Sequence, residues 1–428
     1  MLLGVLALVK KKDNNIINKD IIKVGYQKSL EMLKACRTKY GFLASVTERD
    51  NYRRIWGRDG CITGLAALLT DDADLIEGCR CTLETLARYQ GPHGEIPSNV
   101  DPDLGRISYG GMTGRVDSDL WFLICISQYW QRTGDDFFLK SMINVIEKVR
   151  FLLGAWEFNN RGFLYVPITG DWADEYIHEG YVLYDQILYF QAQREMCKIH
   201  KHIHHSADHT LIDRTVRLKH LIRNNFWFPD HDELPDHVYH EILYKKGKRA
   251  AQRFSDRYWA PFFSPSGYGY RFDMMANILV SIFGVAAKEQ AEKVDAYIQQ
   301  EILQDDVVLL PAFYPVITPK DEDWEDLQMT FSYTFKNLPN ESHNGGLWPL
   351  VTGLYAADLA YRGKQDLARK YLIGVHRANA RHVDGADWRF SEFLHGATHE
   401  PGGTPKMAWS AAAAIIAHAA LNGKGIIG

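Results

Sequence analysis

The sequence predicts an all-α protein built as a closed ring of about twelve helices. Apolar residues recur with a period near 3.6 residues in about twelve segments, which indicates amphipathic helices, and strand signals are few. An even number of antiparallel helices fits a toroid of helix pairs, in which an outer ring packs around an inner ring. The segments lie near residues 22–37, 58–70, 74–90, 117–133, 136–154, 179–200, 208–226, 270–284, 287–304, 343–362, 364–380 and 406–421.

Several of these helices have ends that the sequence marks. Asp135-Asp136 opens one helix, because a carboxylate at a helix start can accept hydrogen bonds from free backbone N–H groups. Arg362-Gly363 closes another, since glycine readily adopts the left-handed conformation that ends helices. The Pro401-Gly402-Gly403 cluster precedes the last helix. These boundary signals support the helix assignments made from periodicity.

The loops between the helices are uneven in length, and the long ones carry many Trp, Tyr, Asp, Asn and Gly residues. Long loops without regular structure of their own are usually functional. No linker or shift in composition divides the chain, so we expect an N-terminal extension over residues 1–21 and a single domain over residues 22–428. The long loops lie near residues 91–116, 155–178, 227–269, 305–342 and 381–405.

Composition excludes several classes of protein. The 428 residues are 46% apolar, 12% aromatic and 24% charged, a balance unlike that of disordered, collagen-like or disulfide-rich chains. The 49 basic and 53 acidic residues give a formal net charge of −4, so binding to nucleic acid or to a membrane surface lacks its usual electrostatic driving force. No stretch approaches the roughly 18 apolar residues of a membrane span.

The cysteines and the start of the chain predict a cytoplasmic protein. Six cysteines without a repeated C-x-x-C spacing are typical of reduced core residues. The apolar stretch Met1–Val9 is short, and the basic run Lys10–Lys12 follows it, whereas a secretory signal places its positive charges first. The modest net charge also permits self-association into a homo-oligomer.

The sequence predicts neither a metal site nor a cofactor. The histidine-rich run over residues 200–209 follows a helix end in a polar stretch, which favours a solvated loop over a metal site. There is no P-loop, no G-x-S-x-G elbow and no H-E-x-x-H motif. The sequence therefore contains no recognisable motif for phosphoryl transfer, serine hydrolysis or zinc proteolysis.

Acids and tryptophans gather where loops meet helices. Trp56, Arg58 and Asp59 precede an apolar helix. A carboxylate there can accept the hydroxyl hydrogens of a sugar, and an indole ring can cover an apolar sugar face. A helix cap with a local ion pair explains the group equally well. Asp117 and Trp121 repeat the combination at another helix start, with the same alternative.

The strongest group lies near the end of loop 155–178, where Asp171, Trp172, Asp174 and Glu175 stand together. Apolar neighbours raise the pKa of a carboxyl group toward neutrality, which suits a general acid. The helix macrodipole also favours acids at a helix start. That alternative does not account for the aromatic residues among the acids.

Two later stretches add a second carboxylate. His343, Asn344 and Trp348 lie just before a predicted helix, and Glu392 follows Trp388 in the final long loop. Glu392 lies between two phenylalanines, which fits a buried catalytic base as well as an ordinary loop acid. Two separated carboxylates amid loops lined with Trp and Tyr are the basic requirement for glycoside hydrolysis.

In the order of these segments the chain resembles the alkaline/neutral invertases, glycoside hydrolase family 100. The resemblance runs from about residue 50 to residue 420. The matching motifs are Arg58-Asp59, Val116-Asp117-Ser118 with Trp121, Asp174 placed eleven residues before Asp185-Gln186-Ile187, His343-Asn344-Gly345-Gly346-Leu347-Trp348-Pro349, the Trp388–Gly396 loop with Glu392, and Trp409-Ser410.

The resemblance implies an (α/α)6 barrel that hydrolyses an α-glucosidic bond, in the family that of sucrose, without a metal or organic cofactor. By position Asp174 matches the general acid of the family, and Glu392 matches its second catalytic carboxylate. In related (α/α)6 glycosidases the second carboxylate activates water and inverts the anomeric centre. The residues that fall on motifs expected to line the sugar subsite are Arg58, Asp59, Asp117, His343, Asn344 and Trp348.

The chain also departs from the family pattern. Glu175 and Tyr176 stand where the family has two arginines after its acid, and the loop from Trp388 to Phe393 replaces Trp-Pro-Glu-Tyr-Tyr-Asp. The alternatives are an exo-acting α-glucosidase on another α-glucoside, similar to the amylo-1,6-glucosidases, and a non-catalytic sugar-binding toroid. Asp171 and Glu175 are the rivals of Asp174 for the role of acid.

Overall fold

Helices dominate the described part of the chain. The computed structural model describes residues 20–229, 234–254, 256–303, 307–331, 333–381 and 388–428. The helices are α1 (20–36), α2 (Gly57–Ala67), α3 (Ala73–Arg88), α4 (Asp117–Thr133), α5 (Asp136–Ala155), α6 (Leu183–His204), α7 (His209–Phe226), α8 (Glu241–Ala250), α9 (Met274–Ile282), α10 (Lys288–Tyr297), α11 (Trp324–Gln328), α12 (Pro349–Tyr361), α13 (Gln365–Ala380) and α14 (Ala408–Leu421).

The strands are short and pair as small antiparallel ribbons. They form two three-stranded sheets, β3-β4-β5 and β6-β7-β8, and three two-stranded ribbons, β1-β2, β9-β10 and β11-β12. The strands are β1 (Arg37–Thr38), β2 (Gly41–Phe42), β3 (Ile55–Trp56), β4 (Asn99–Asp101), β5 (Arg106–Ser108), β6 (Tyr181–Val182), β7 (Phe262–Ser264), β8 (Gly267–Tyr268), β9 (Phe272–Asp273), β10 (Phe313–Tyr314), β11 (Phe393–Leu394) and β12 (Pro401–Gly402).

Six helices form a closed inner ring. Helices α2, α4, α6, α9, α12 and α14 each pack against the next, and α14 packs back against α2. Every residue of α2 is buried, and so is every residue of α12 except Tyr361. A helix that is apolar on all sides belongs in the interior of a protein. The low polarity of these helices is therefore what places them inside.

The outer helices bury one face only. Helices α3, α5, α7 and α13 pack against α2, α4, α6 and α12, respectively. In α5, Leu139, Met142, Ile146 and Val149 are buried at helical spacing, whereas Phe151 is exposed. All twelve segments predicted from periodicity are helical, and the prediction of an (α/α)6 toroid is confirmed.

Three inner helices begin four or more residues later than the sequence predicts. Helix α6 begins at Leu183 rather than near residue 179, because β6 pairs with β7 immediately before it. Helix α9 begins at Met274 rather than near residue 270, because β9 pairs with β10 and Asp273 then caps the helix. Helix α12 begins at Pro349 rather than near residue 343, since proline is favoured in the first turn of a helix and Trp348 before it is extended.

Four of the five predicted long loops contain regular structure. Loop 91–116 holds β4 and β5, and loop 381–405 holds β11 and β12. Loop 227–269 holds α8 and the β7-β8 hairpin, and loop 305–342 holds β10 and α11. Helix α8 is short and rich in charged residues, and it buries only Tyr244 and Gly247, so few apolar positions mark it in the sequence. The expectation that these stretches are irregular throughout is therefore wrong.

The expectations for the chain start and the cysteines meet the structure only in part. Residues 1–19 of the expected extension lie outside the described residues, and residues 20 and 21 belong to α1. All six cysteines are free thiols. Within the described ranges, no helix has the length and apolarity needed to cross a lipid bilayer.

A partly buried ion cluster joins α10 to α12. The Arg362 guanidinium donates to Asp295 Oδ2 at 2.7 Å and Oδ1 at 2.8 Å, and to Asp358 Oδ2 at 2.6 Å. Tyr355 donates to Asp295 Oδ1 at 2.8 Å, and Lys364 lies 2.5 Å from Asp295 Oδ2. Bidentate arginine–carboxylate contacts of this kind are strong and directional.

Replacing Arg362 by methionine should destabilise the fold. The change leaves two buried carboxylates without their main partner, and we expect the free energy of unfolding to fall by about 3 kcal/mol, because Lys364 still contacts Asp295. Chemical denaturation followed by tryptophan fluorescence measures the difference. Arg150→Met is the control, since the exposed Arg150–Glu147 pair should contribute under about 1 kcal/mol. Equal effects of the two substitutions would show that the cluster does not stabilise the ring.

Candidate active site

A cavity of about 920 Å³ opens where several inner helices begin. Its wall includes residues at the starts of α2, α12 and α14 and residues from five connecting segments. A second cavity of similar size, beside α13, is lined by none of the residues predicted from sequence. The predicted residues that line the first cavity are Trp56, Arg58, Asp59, Trp172, Asp174, Glu175, His343, Trp348 and Glu392.

Arg58 holds together acids from three parts of the chain. Its Nη1 donates to Asp117 Oδ2 at 3.0 Å and to Asp174 Oδ1 at 3.3 Å. Its Nε lies 3.5 Å from Asp59 Oδ2. Arg58, Asp59 and Asp117 are all buried, so the guanidinium charge offsets carboxylates that water cannot reach. The contacts fix the start of α2, the start of α4 and the loop of Asp174 against one another.

Asp174 is the most solvent-accessible carboxylate of this group, with 27% of its side chain exposed. Arg115 lies 3.3 Å from its second oxygen, so two guanidinium groups contact it. Burial raises the pKa of Asp174, but Arg115 and Arg58 together outweigh burial and hold the pKa below its usual value. The expectation that aromatic neighbours raise this pKa toward neutrality is therefore wrong, because nearby charge has the larger effect.

Glu392 is held in place by the β11-β12 ribbon. Its Oε1 accepts a hydrogen bond from the Tyr52 hydroxyl at 2.8 Å, and its Oε2 accepts one from the Thr404 N–H at 2.9 Å. Gly403, at φ +65°, packs so closely that a Cβ there would lie 2.4 Å from Oε2. Burial raises the pKa of Glu392, and the hydrogen bonds from Thr404 and Tyr52 oppose part of that rise.

The cavity carboxylates thus have different proton affinities. Asp174 favours its ionised form, whereas burial shifts Glu392 toward its protonated form. Asp59 is also affected, since burial raises its pKa to about 7 even with Arg58 beside it. Pairs of acids whose pKa values are pushed apart are typical of sites that transfer protons.

Six buried polar atoms of cavity-lining residues have no hydrogen-bond partner among the described residues. Two of them, Arg58 Nε and Asp59 Oδ2, lie 3.5 Å from each other, and the others are Arg115 Nε, Trp172 Nε1, His343 Nε2 and Trp409 Nε1. Burial lowers the pKa of His343 to about 3, so its ring is neutral near pH 7. An unpaired buried polar group costs about 1–3 kcal/mol. Donors and acceptors placed together in this way suit a ligand with several hydroxyl groups.

Aromatic rings form one wall beside these atoms. The Trp172 ring meets His343 edge-on at 4.9 Å and Trp348 edge-on at 5.6 Å, and Trp348 meets Trp409 at 5.5 Å. Edge-to-face packing at these separations is favourable and rigid. The indoles therefore present fixed apolar surfaces next to the polar atoms.

Asp117 and Trp121 lie behind the cavity wall. Asp117 is fully buried and contacts Arg58 and Tyr184, while Trp121 donates to the Tyr184 hydroxyl at 2.7 Å. Their position follows from α4, whose first residues face the ring interior. Both were expected to contact substrate, and the structure instead places them as supports of Arg58.

Asp171, Asn344 and Trp388 also do not line the cavity. Asp171 is buried, accepts the Ala173 N–H at 2.9 Å and lies 3.7 Å from His178. Asn344 bonds with the backbone of Ile317, and Trp388 lies beside His376. The buried position of Asp171 disfavours it as an acid that meets substrate, whereas Glu175 remains on the wall. Among the described residues, no three His, Cys, Asp or Glu side chains are arranged to hold a metal ion.

Sequence reasoning missed several residues that complete the site. Tyr52 and Thr404 contact Glu392, Arg115 contacts Asp174, and Lys336 lines the cavity. Arg115 could have been found, because it directly precedes the Val116-Asp117 motif. The others stand in no recognisable motif, and only the folded chain brings them to the carboxylates.

Solved structures of other proteins share this fold, and two of them illustrate the likeness. A bacterial glucoamylase complexed with acarbose superposes with a TM-score of 0.65 at 15% identity, covering 94% of this chain and 56% of the glucoamylase. The GH63 mannosylglycerate hydrolase from Thermus thermophilus, in complex with Tris and D-glycerate, gives a TM-score of 0.63 at 12% identity, covering 92% of this chain and 99% of the hydrolase. Identities this low establish similarity of fold alone.

Sequence comparison gives the family. Neutral/alkaline invertase 1, mitochondrial, of Oryza sativa subsp. japonica is 23% identical over 394 residues, covering 79% of this chain and 61% of the rice protein. Alkaline/neutral invertase C, mitochondrial, of Arabidopsis thaliana is 26% identical over 313 residues, covering 66% and 45%. The chain thus spans about three-fifths or less of these relatives. Residues 88–419 match the family model described as alkaline and neutral invertase, and the chain belongs to that family.

Proposed function

We propose that this chain is a glycoside hydrolase that cleaves an α-glucosidic bond, with sucrose as the first candidate substrate. One observation carries the proposal: the two carboxylates Asp174 and Glu392 share a cavity with buried, unpaired polar atoms and rigid indoles. Such a wall suits a sugar ring, and two carboxylates are what glycoside hydrolysis requires. Membership of the invertase family supports the choice of sucrose.

The proposed mechanism is a single displacement. Asp174 donates a proton to the glycosidic oxygen as the bond to the anomeric carbon breaks. Glu392 takes a proton from a water that attacks the same carbon from the opposite ring face, and the configuration is inverted. Tyr52 and Thr404 orient Glu392 for this step, while Asp59 and His343 bind sugar hydroxyls.

The charges around the two carboxylates give a specific rival assignment. Arg115 and Arg58 favour the ionised form of Asp174, whereas an acid must carry a proton. Burial favours the protonated form of Glu392. The reverse assignment, with Glu392 as acid and Asp174 as base, therefore needs its own test.

Substitution of each carboxylate tests both the function and the roles. On sucrose we expect Asp174→Asn and Glu392→Gln each to lower kcat/KM by about 10²–10⁴, the usual contribution of acid–base catalysis. On α-glucosyl fluoride, whose leaving group needs no proton, Asp174→Asn should recover activity and Glu392→Gln should not. Released glucose is measured, with Glu147→Gln as an exposed control.

Each other outcome has a defined meaning. Recovery of Glu392→Gln alone on the fluoride would assign the acid to Glu392. Near-normal rates of both variants on sucrose would contradict the proposed pair. Binding of sugar by a wild-type chain that hydrolyses no α-glucoside would favour the non-catalytic toroid.

Removing Arg115 should shift the pH dependence. Arg115→Met deletes the strongest influence that lowers the pKa of Asp174, so the ionised form becomes less favourable and that pKa rises. If Asp174 is the acid, the alkaline limb of the kcat/KM profile moves to higher pH. Movement of the acidic limb instead would make Asp174 the base.

Arg54→Met is the matched control for this pH profile. Arg54 also lines the cavity, but it donates to Asn99 at 2.9 Å and is not among the groups that shift the pKa of Asp174. Its substitution should leave both limbs in place. A profile of Arg115→Met with unmoved limbs would exclude Asp174 from proton transfer.

A second candidate function is an exo-acting α-glucosidase on another α-glucoside. Glu175 lines the cavity one position after Asp174, where the resembled family has arginine. A carboxylate in place of a guanidinium changes which aglycone the wall accepts. Measurement of kcat/KM on sucrose, maltose, isomaltose and trehalose distinguishes the two candidate functions. A higher value for any substrate than for sucrose favours the second.

We also propose that residues 22–428 work as a single catalytic domain in the cytoplasm. The closed inner ring supports one domain, and the six free thiols fit a reducing compartment. The curated relatives are named as mitochondrial, chloroplastic and cytosolic proteins. Fluorescence imaging of a tagged chain tests the location.

A further inference from the structure

The cationic side chains of the cavity wall differ in their hydrogen bonds and ion pairs with other protein groups. Arg58 and Arg115 contact Asp174, Arg54 donates to Asn99 at 2.9 Å, and Arg49 donates to the Gly403 carbonyl at 2.9 Å. Lys336 lines the same cavity and is exposed, and it forms no hydrogen bond or ion pair with any described residue. Among the described residues, its ammonium group is therefore the cationic group of the cavity wall that has no protein partner.

The backbone next to Lys336 is firmly placed. Asn337 is buried, and its side-chain amide donates to the Glu175 carbonyl. Its Oδ1 accepts the His343 N–H at 3.0 Å. Thr330 donates to the same Glu175 carbonyl at 2.7 Å. The stretch that carries Lys336 is therefore tied to the loop of Asp174 and to the turn of His343, and the lysine stem starts from a fixed point.

The ammonium group also acts on both proposed catalytic carboxylates. Burial raises the pKa of Asp174 and of Glu392, and Lys336 is among the groups that lower both values. Its field therefore reaches the place between the two carboxylates where the glycosidic bond is expected to lie. Lys336 makes no ion pair with either one, so its donors remain available to a ligand.

Depth in the cavity indicates which part of a substrate Lys336 would meet. Asp59, His343 and Trp172 are buried and suit the glucosyl ring. Lys336 is exposed, and so is its neighbour Tyr333 at 92%. The leaving group of an exo-acting enzyme extends toward the opening, so Lys336 lies on the aglycone side.

We propose that Lys336 selects α-glucosides whose aglycone carries an anionic group, a carboxylate or a phosphate, close to the scissile bond. This inference rests on the proposed hydrolase function and narrows its substrate class. An ammonium binds either anion through charge-assisted hydrogen bonds, which are stronger than those it makes to hydroxyl groups. The other described cations of the cavity wall already contact protein groups, so Lys336 is the partner that remains for the anion.

The selectivity arises from contact rather than from a general positive field. Asp50, Glu175 and Glu341 line the same cavity, so its wall carries acids as well as bases. Free anions are therefore not drawn in by an excess of positive charge. Inorganic phosphate alone should inhibit weakly, whereas an anion attached to the glucosyl ring is placed beside Lys336.

Two substrate pairs test the inference, with wild type, Lys336→Met and Lys288→Met compared. Glucosylglycerate and glucosylglycerol differ by a carboxylate, and sucrose 6′-phosphate, which carries its phosphate on the fructosyl unit, differs from sucrose by that phosphate. In wild type we expect kcat/KM to be about tenfold higher for the anionic member of at least one pair. That pair identifies the anion.

Lys336→Met should abolish this preference by lowering kcat/KM for the anionic member about tenfold more than for the neutral member. Lys288→Met should behave as wild type, because Lys288 is an exposed residue of α10 outside the cavity. Hydrolysis without any charge preference in wild type overturns the inference and leaves the hydrolase function intact. Equal losses on both members of a pair also overturn it, since Lys336 would then act on the chemistry itself. No hydrolysis of any α-glucoside overturns the hydrolase function and this inference with it.

Discussion

The buried guanidinium of Arg58 is the contact on which the site depends. It stands between Asp59, Asp117 and Asp174, which come from the starts of two inner helices and from a long loop. Three acids this close would repel one another and leave the interior, and a single buried cation makes the arrangement stable. The same contact, together with Arg115, lowers the pKa of Asp174, so it contributes to both the geometry and the proton affinity of a proposed catalytic group.

The closed inner ring fixes the positions of the residues that contact Arg58. Six mostly buried helices pack in sequence around the ring, and the starts of several of them border one cavity. Helix N-termini favour nearby carboxylates through the macrodipole. The loops that carry Asp174 and Glu392 are anchored to this frame by Arg58, Arg115 and the β11-β12 ribbon. The loops thus carry the proposed catalytic residues, and the helices hold those loops in fixed positions.

Local signals explain what could be predicted from the sequence. The period of apolar residues predicted twelve helical segments that are all found, because burial of a helix face depends on neighbours in the sequence. Non-local contacts explain what could not. Helix α9 starts late because β9 pairs with β10, about 40 residues away. Tyr52 reaches Glu392 across 340 residues, and Arg58 reaches Asp174 across 116, so neither the hydrogen bond nor the lowered pKa had a local signature.

Two carboxylates that act on opposite faces of one glucosyl ring are central to the proposed mechanism. The most direct measurement is the anomeric form of the glucose released from an α-glucoside, followed by proton NMR before mutarotation. A single displacement predicts that β-glucose appears first and that the α-anomer grows only later. If α-glucose appears first, the configuration is retained, and the proposed division of roles between Asp174 and Glu392 is contradicted.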